Sequence, residues 1–101
     1  MFIYNLTIKV NNAILGEWMK WQTEEHIPEI MSTQLFTEHK FFRLLEQDDS
    51  EGPTFVIQYL TPVKENYDKY INEHAPKLRE KAFKKWGDGF IAFRSLLQAV
   101  Q

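Results

Sequence analysis

The apolar residues of this chain change period repeatedly, and the order of those changes leaves few folds open. In residues 2–10, Phe2, Tyr4, Leu6, Ile8 and Val10 point one way and Ile3, Asn5, Thr7 and Lys9 the other. Strict alternation is the period of a strand. Asn11 and Asn12 then offer N-caps. From residue 13 the period lengthens, and Ile14, Leu15, Trp18, Met19, Trp21 and Gln22 fall on one helical arc. Pro28 should interrupt this helix, because it lacks an amide donor and disfavours helical geometry at Ile27. A further turn runs through Ile30 and Met31. A second strand is read over residues 40–47, KFFRLLEQ, and a third over 54–61, TFVIQYLT, with the turn-forming stretch DDSEGP between them. Thr61-Pro62 predicts the next helix start. Val63, Tyr67, Tyr70, Ile71, His74 and Leu78 line one face of that helix, Pro76 interrupts it late, and Gly87-Asp88-Gly89 ends it. A fourth strand covers residues 90–97.

The predicted order is therefore β-α-β-β-α-β. With short loops and right-handed crossovers this is a ferredoxin-like α+β sandwich, two helices on one face of a four-stranded antiparallel sheet. The chain has 101 residues, the size of one domain with one core, so residues 1–101 are read as a single ferredoxin-like unit. Glu-His-x-Pro occurs at Glu25-His26-Ile27-Pro28 and again at Glu73-His74-Ala75-Pro76, late in each predicted helix. An arginine follows in each closing strand, Arg43 and Arg94. The repetition echoes the pseudo-twofold symmetry of the two β-α-β halves.

Two helices leave the second sheet face uncovered, and a solvated face should be polar. The residues expected there are Ile3, Asn5 and Thr7; Phe41, Arg43 and Leu45; Val56, Gln58 and Leu60; and Phe90, Ala92, Arg94 and Leu96. So much apolar surface marks an interface, and back-to-back packing of two sheets would bury it in a homodimer. Ile3, Asn5, Arg43, Leu45, Val56, Gln58, Leu60 and Arg94 are the dimer-face candidates. The polar ones among them need hydrogen-bond partners or a wet cavity.

A formal net charge of −2 gives no electrostatic case for nucleic acid or an anionic membrane. The third strand also fails the basic-Gly-aromatic pattern of RNA-binding sheets, since Glu51, Pro53 and Gln58 break it. No run approaches the length of a membrane span. Absence of cysteine removes disulfides, thiolate metal sites and thiol nucleophiles. It fits a reducing compartment, and with no basic, apolar leader at the N-terminus the sequence reads as cytoplasmic. His26, His39 and His74 lack metal-ligand spacing, no nucleophile elbow or phosphate loop is present, and nothing calls for a cofactor.

The chemical candidates are His74, His26 and Glu25. As a histidine–carboxylate pair at a pocket mouth they would move protons. As structural groups, each imidazole would bond carbonyls freed at a helix end by the following proline. Duplication at symmetric places favours the structural reading, and His74, amid an aromatic stripe, is the copy expected to carry any chemistry. Trp18, Trp21, Tyr67 and Tyr70 are the candidates for packing a ligand.

The pattern of Ile3-Tyr4-Asn5, Trp18-x-x-Trp21, both Glu-His-x-Pro copies, Gln58-Tyr59 and Phe93-Arg94 resembles a family of short bacterial proteins catalogued only as a domain of unknown function. That family is similar to the dimeric α+β barrel superfamily, in which ferredoxin-like subunits pair through their sheets and His-x-Pro late in the first helix recurs. The resemblance implies a homodimer and transfers no catalytic residue. The expected function is a homodimer binding a small apolar or aromatic ligand between helices and sheet. The alternative is a small α+β barrel enzyme, monooxygenase- or isomerase-like, using a helix histidine. A third reading is a protein–protein interaction module using the sheet face.

Overall fold

The computed structural model describes residues 1–101. Four strands, β1 (Phe2–Val10), β2 (Glu38–Leu44), β3 (Thr54–Thr61) and β4 (Phe90–Gln98), form one antiparallel sheet in the order β2-β3-β1-β4. The first helical region joins β1 to β2 and comprises α1 (Leu15–Trp21), a π-helical turn (Gln22–His26) and α2 (Ile27–Met31). The second joins β3 to β4 and comprises α3 (Lys64–Glu73) and α4 (Ala75–Trp86). This is the ferredoxin-like arrangement, with all helices on one face of the sheet.

The core forms because β1 is central and strictly alternating. Tyr4, Leu6, Ile8 and Val10 are buried under the helices, alongside Phe55, Ile57 and Tyr59 of β3. Trp18, 1% exposed, stacks on Phe55 at 5.5 Å and meets Phe41 edge-on at 6.2 Å. Tyr4 contacts Tyr67 and Tyr70, each at 5.6 Å, so the second helical region docks through aromatic edges.

Element starts differ from the sequence-based expectation. The Asn11 side chain accepts the Ala13 N–H at 2.8 Å, which makes a turn, and α1 begins only at Leu15 without a side-chain cap. Thr61 ends β3. Its hydroxyl accepts the Val63 N–H at 3.3 Å, so α3 starts at Lys64, two residues beyond Pro62. β2 is displaced from 40–47 to 38–44 because Leu44 pairs with Thr54, which leaves residues 45–53 as a loop. Arg43 and Asp49 close that loop at 2.7 Å.

The edge-strand faces also need correction. Residues directly opposite in a ladder share a face. Tyr4 pairs with Leu96, Leu6 with Arg94, and Ile8 with Ala92; Phe41 pairs with Ile57 and Arg43 with Phe55. Phe41, Arg43, Phe90, Ala92, Arg94 and Leu96 therefore belong to the helix side. Leu45 lies beyond the end of β2. The uncovered face instead carries Phe42 and Leu44 from β2, and Ile91, Phe93, Ser95 and Leu97 from β4. It also holds Ile3, Asn5, Thr7, Val56, Gln58 and Leu60, as expected. Both edge strands carry apolar residues at adjacent positions, such as Phe41-Phe42 and Leu96-Leu97. Alternation alone then fixes no face, and a one-residue slip inverts every side chain.

The loop 45–53 docks onto the end of β1 through Val10 N–H to the Pro53 carbonyl at 3.0 Å and Asn12 N–H to the Glu51 carbonyl at 2.9 Å. Gly52 sits between them at φ +151°, and a Cβ there would fall on the Val10 carbonyl oxygen. Gly52→Ala should therefore destabilise the fold by about 3 kcal/mol or more, read as a lowered urea midpoint with an unchanged slope.

Candidate functional site

Pro28 shapes the first helical region without ending it. In a regular α-helix its ring would press on the Glu24 carbonyl, which would also lack a donor. The chain instead widens by one residue before the proline: the Ile27 N–H bonds the Gln22 carbonyl five residues back, which is the π pattern. The Thr23 hydroxyl donates to the Met19 carbonyl at 3.0 Å and reaches that of Lys20 at 3.3 Å.

This turn forms one wall of a partly open cleft between the helices and the β1–β4 side of the sheet. The cleft has a volume of about 40 Å³. Its walls are mostly apolar, including Trp18, Trp21, Ile30, Leu78 and Phe90, and its polar lining consists of Gln22, His26, Tyr4, Tyr70, Arg79 and Arg94. Gln22 is only 2% exposed, yet its Oε1 has no hydrogen-bond partner; the buried Nδ1 of His26 has none either. Arg79 donates from Nη2 to the Tyr4 hydroxyl at 3.2 Å. Lys81 and Glu29 tie α4 to α2 at 2.6 Å. Arg79 and Arg94 are exposed overall and mark the mouth, while Gln22 and Trp18 form the floor.

His26 stacks on Trp21 at 4.4 Å with the rings 19° apart. Burial drives its pKa down to about 4, with Lys81 and Arg94 acting in the same direction and Glu29 opposing them. At neutral pH the ring is therefore uncharged, with one nitrogen able to donate and the other to accept. Burial, followed by the neighbouring Tyr4, raises the pKa of the Tyr70 hydroxyl, which stays protonated.

The structure separates the candidates named from sequence. Trp18, Trp21, Tyr70 and His26 share the cleft, whereas Tyr67 packs against Tyr4 outside its lining. His74 is half-buried, 6.2 Å from the Tyr70 ring, and opens onto a shallow groove with Ser32, Thr33 and Lys77. His74, the copy expected to carry any chemistry, therefore lies outside the cleft that holds His26. Glu25 is exposed in another groove, beside Lys20 and Lys85, so no Glu25–His26 pair is built. Neither imidazole bonds a freed carbonyl: the structural account holds for the proline-induced joints but not for the histidine side chains. Arg94 moves from the dimer face to the cleft mouth. Gln22 and Arg79 were not singled out as functional from sequence. Gln22 had a signal, a polar residue on an apolar helical arc; Arg79 had none.

The His26 shift has a definite pH consequence. A group whose folded pKa lies below its unfolded value binds fewer protons in the folded state between the two. Stability then rises with pH there and is fully present above about 6.5. Wild-type protein should lose on the order of 3 kcal/mol through this group as pH falls from about 6.5 towards 4. In urea titrations at several pH values, His26→Gln should lack most of that loss; parallel curves for the two proteins would contradict a buried neutral imidazole.

The architecture recurs in solved structures of low sequence similarity. A dimeric ferredoxin-like protein from an uncultured marine organism is 13% identical, with a TM-score of 0.71 over 99% of this chain and 95% of that one. An ethyl tert-butyl ether d (ethd) family protein from Bacillus halodurans is 10% identical, with a TM-score of 0.68 over 99% and 100%. A dimeric ferredoxin-like protein of unknown function from Jannaschia is 16% identical, with a TM-score of 0.56 over 98% and 100%. No curated protein matches the chain. No helix is long and apolar enough to cross a membrane. Residues 1–100 match the family described as a domain of unknown function, DUF4286, and the chain belongs to that family.

Proposed function

We propose that residues 1–101 act as one ferredoxin-like unit that pairs with a second copy, sheet against sheet, each subunit keeping a small-molecule site in the cleft beneath its helices. The uncovered sheet face carries this reading. Phe93 is 71% exposed, Ile91 59% and Phe42 47%, and all three lie on the face that no helix covers. Across the middle of this face runs a polar row. Gln58 donates to Asn5 Oδ1 at 3.1 Å, and Asn5 Nδ2 reaches Ser95 Oγ at 3.5 Å. These groups satisfy one another within the subunit, so covering them costs less than burying isolated amides. Apolar side chains on both sides of this line suit a partner with the same face, with Lys40 ending the line at the sheet edge. The description of structural neighbours as dimeric supports a second copy over an unrelated protein partner.

The cleft lies on the opposite side of the sheet and stays open in such a dimer. Its apolar walls and few convergent polar groups are the usual makeup of a ligand site. A proton-transfer role for a helix histidine lacks comparable support, because no carboxylate hydrogen-bonds either imidazole and Glu25 points elsewhere. This reading predicts a mass near twice 12.1 kDa by light scattering at micromolar concentration. Burying each Phe93 ring contributes about 2 kcal/mol. Phe93→Asp should yield a monomer with unchanged far-ultraviolet circular dichroism, and a wild-type monomer would sink the pairing model.

A further inference from the structure

We propose that the cleft at the π turn binds a small hydroxycarboxylic acid, its hydroxyl on the floor between Gln22 and His26 and its carboxylate at the mouth between Arg79 and Arg94. The proposal rests on the reading of the cleft as a ligand site and is independent of the dimer. It starts from two unpaired polar atoms. A buried group without a partner is costly, and native structures seldom keep one without a reason. Here Gln22 and His26 both line the cavity, and each carries a buried atom without a partner, Gln22 Oε1 and His26 Nδ1.

The ligand's shape follows from the chemistry around it. A hydroxyl both donates and accepts. Seated between the two side chains, it would donate to the Gln22 amide oxygen and accept from an Nδ1–H of neutral His26. The mouth has the opposite character. Arg79 and Arg94 present guanidinium groups, whose planar fork suits a carboxylate. Arg79 is already oriented by its bond to the Tyr4 hydroxyl at 3.2 Å. No carboxylate of the chain is among the cleft-lining residues; Glu29 is held outside by Lys81.

Size sets the class. A cavity of about 40 Å³ compares with about 10–15 Å³ for one water. It takes about three or four waters, or a molecule of two or three carbons. A larger acid could insert only its polar end, leaving the remainder beyond the arginines. An aromatic ligand, which Trp18 and Trp21 suggest from sequence, would not fit wholly within this volume; the two indoles wall the cavity.

The test is an NMR titration of the full chain with glycolate, acetate and ethylene glycol at constant ionic strength, following the Gln22 side-chain amide and the Arg94 Nε–H. Glycolate should shift both signals and bind at least fivefold more tightly than acetate, and ethylene glycol should shift neither. Arg94→Met should weaken glycolate roughly tenfold or more. Gln22→Leu should abolish the preference for glycolate over acetate while raising Tm, since it removes an unpaired buried amide. Equal binding of acetate and glycolate would overturn the hydroxy-acid assignment and leave the cleft as a ligand site. Silence of both signals with all three compounds would overturn the assignment and the ligand site together. A lower Tm for Gln22→Leu would show that the amide is already satisfied, which also overturns the proposal.

Discussion

The placement of β1 between β3 and β4 governs the rest of the structure. It is a nine-residue strand with strict alternation, hydrogen-bonded on both edges, so its two faces are assigned without ambiguity. Its inner side chains found the core. Because opposed residues share a face, its registers with β3 and β4 then decide the orientation of every side chain in those strands, and β3 passes the assignment to β2. Leu6 opposite Arg94 puts that arginine on the helix side of the sheet, and Asn5 opposite Ser95 completes the polar row on the other side. The cleft and the proposed pairing face are thus two outcomes of a single alternation, separated by the thickness of one sheet.

The second constraint is a missing amide hydrogen. Pro28 cannot continue an α-helical ladder, and the chain absorbs the defect as a π turn instead of a break. The turn leaves Gln22 almost wholly buried with an unpaired oxygen. An apolar residue of similar bulk would be the more stable choice there by about 1 kcal/mol or more. Local rules tend to be broken where function asks for it, and here the break coincides with a cavity that has a charged mouth.

Element order and the core face of β1 were legible in the sequence because period two and period 3.6 are local signals. The buried aromatic arc of α1 was legible for the same reason. The faces of β2 and β4 were not. Phe41-Phe42 and Leu96-Leu97 satisfy either assignment locally, and only pairing with β3 and β1 breaks the tie. The π turn was out of reach for a related reason: Pro28 announces a disturbance, but whether the helix parts or widens depends on what can stabilise the loosened carbonyls. Arg79 illustrates a further limit. Nothing in its neighbours on α4 distinguishes it from Lys77 or Lys81, and its role arises from the approach of Tyr4, 75 positions away in sequence.

The two Glu-His-x-Pro copies show how one local motif yields two joints. Three residues before His26 stands Thr23, whose hydroxyl bonds the Met19 carbonyl and reaches that of Lys20. That hydroxyl lies within the widened turn, and the helix stays wound through the proline. Three residues before His74 stands Ile71, which has no hydroxyl to offer. There the chain parts: His74 leaves helical geometry at φ −120°, and α4 restarts with Pro76 in its first turn, where a missing amide hydrogen costs little. Continuity keeps His26 beneath the helix, against Trp21 and inside the cleft. Parting turns His74 out to a surface groove. The pseudo-twofold symmetry of the sequence is thus broken at the two joints, and only His26 lies in the cleft.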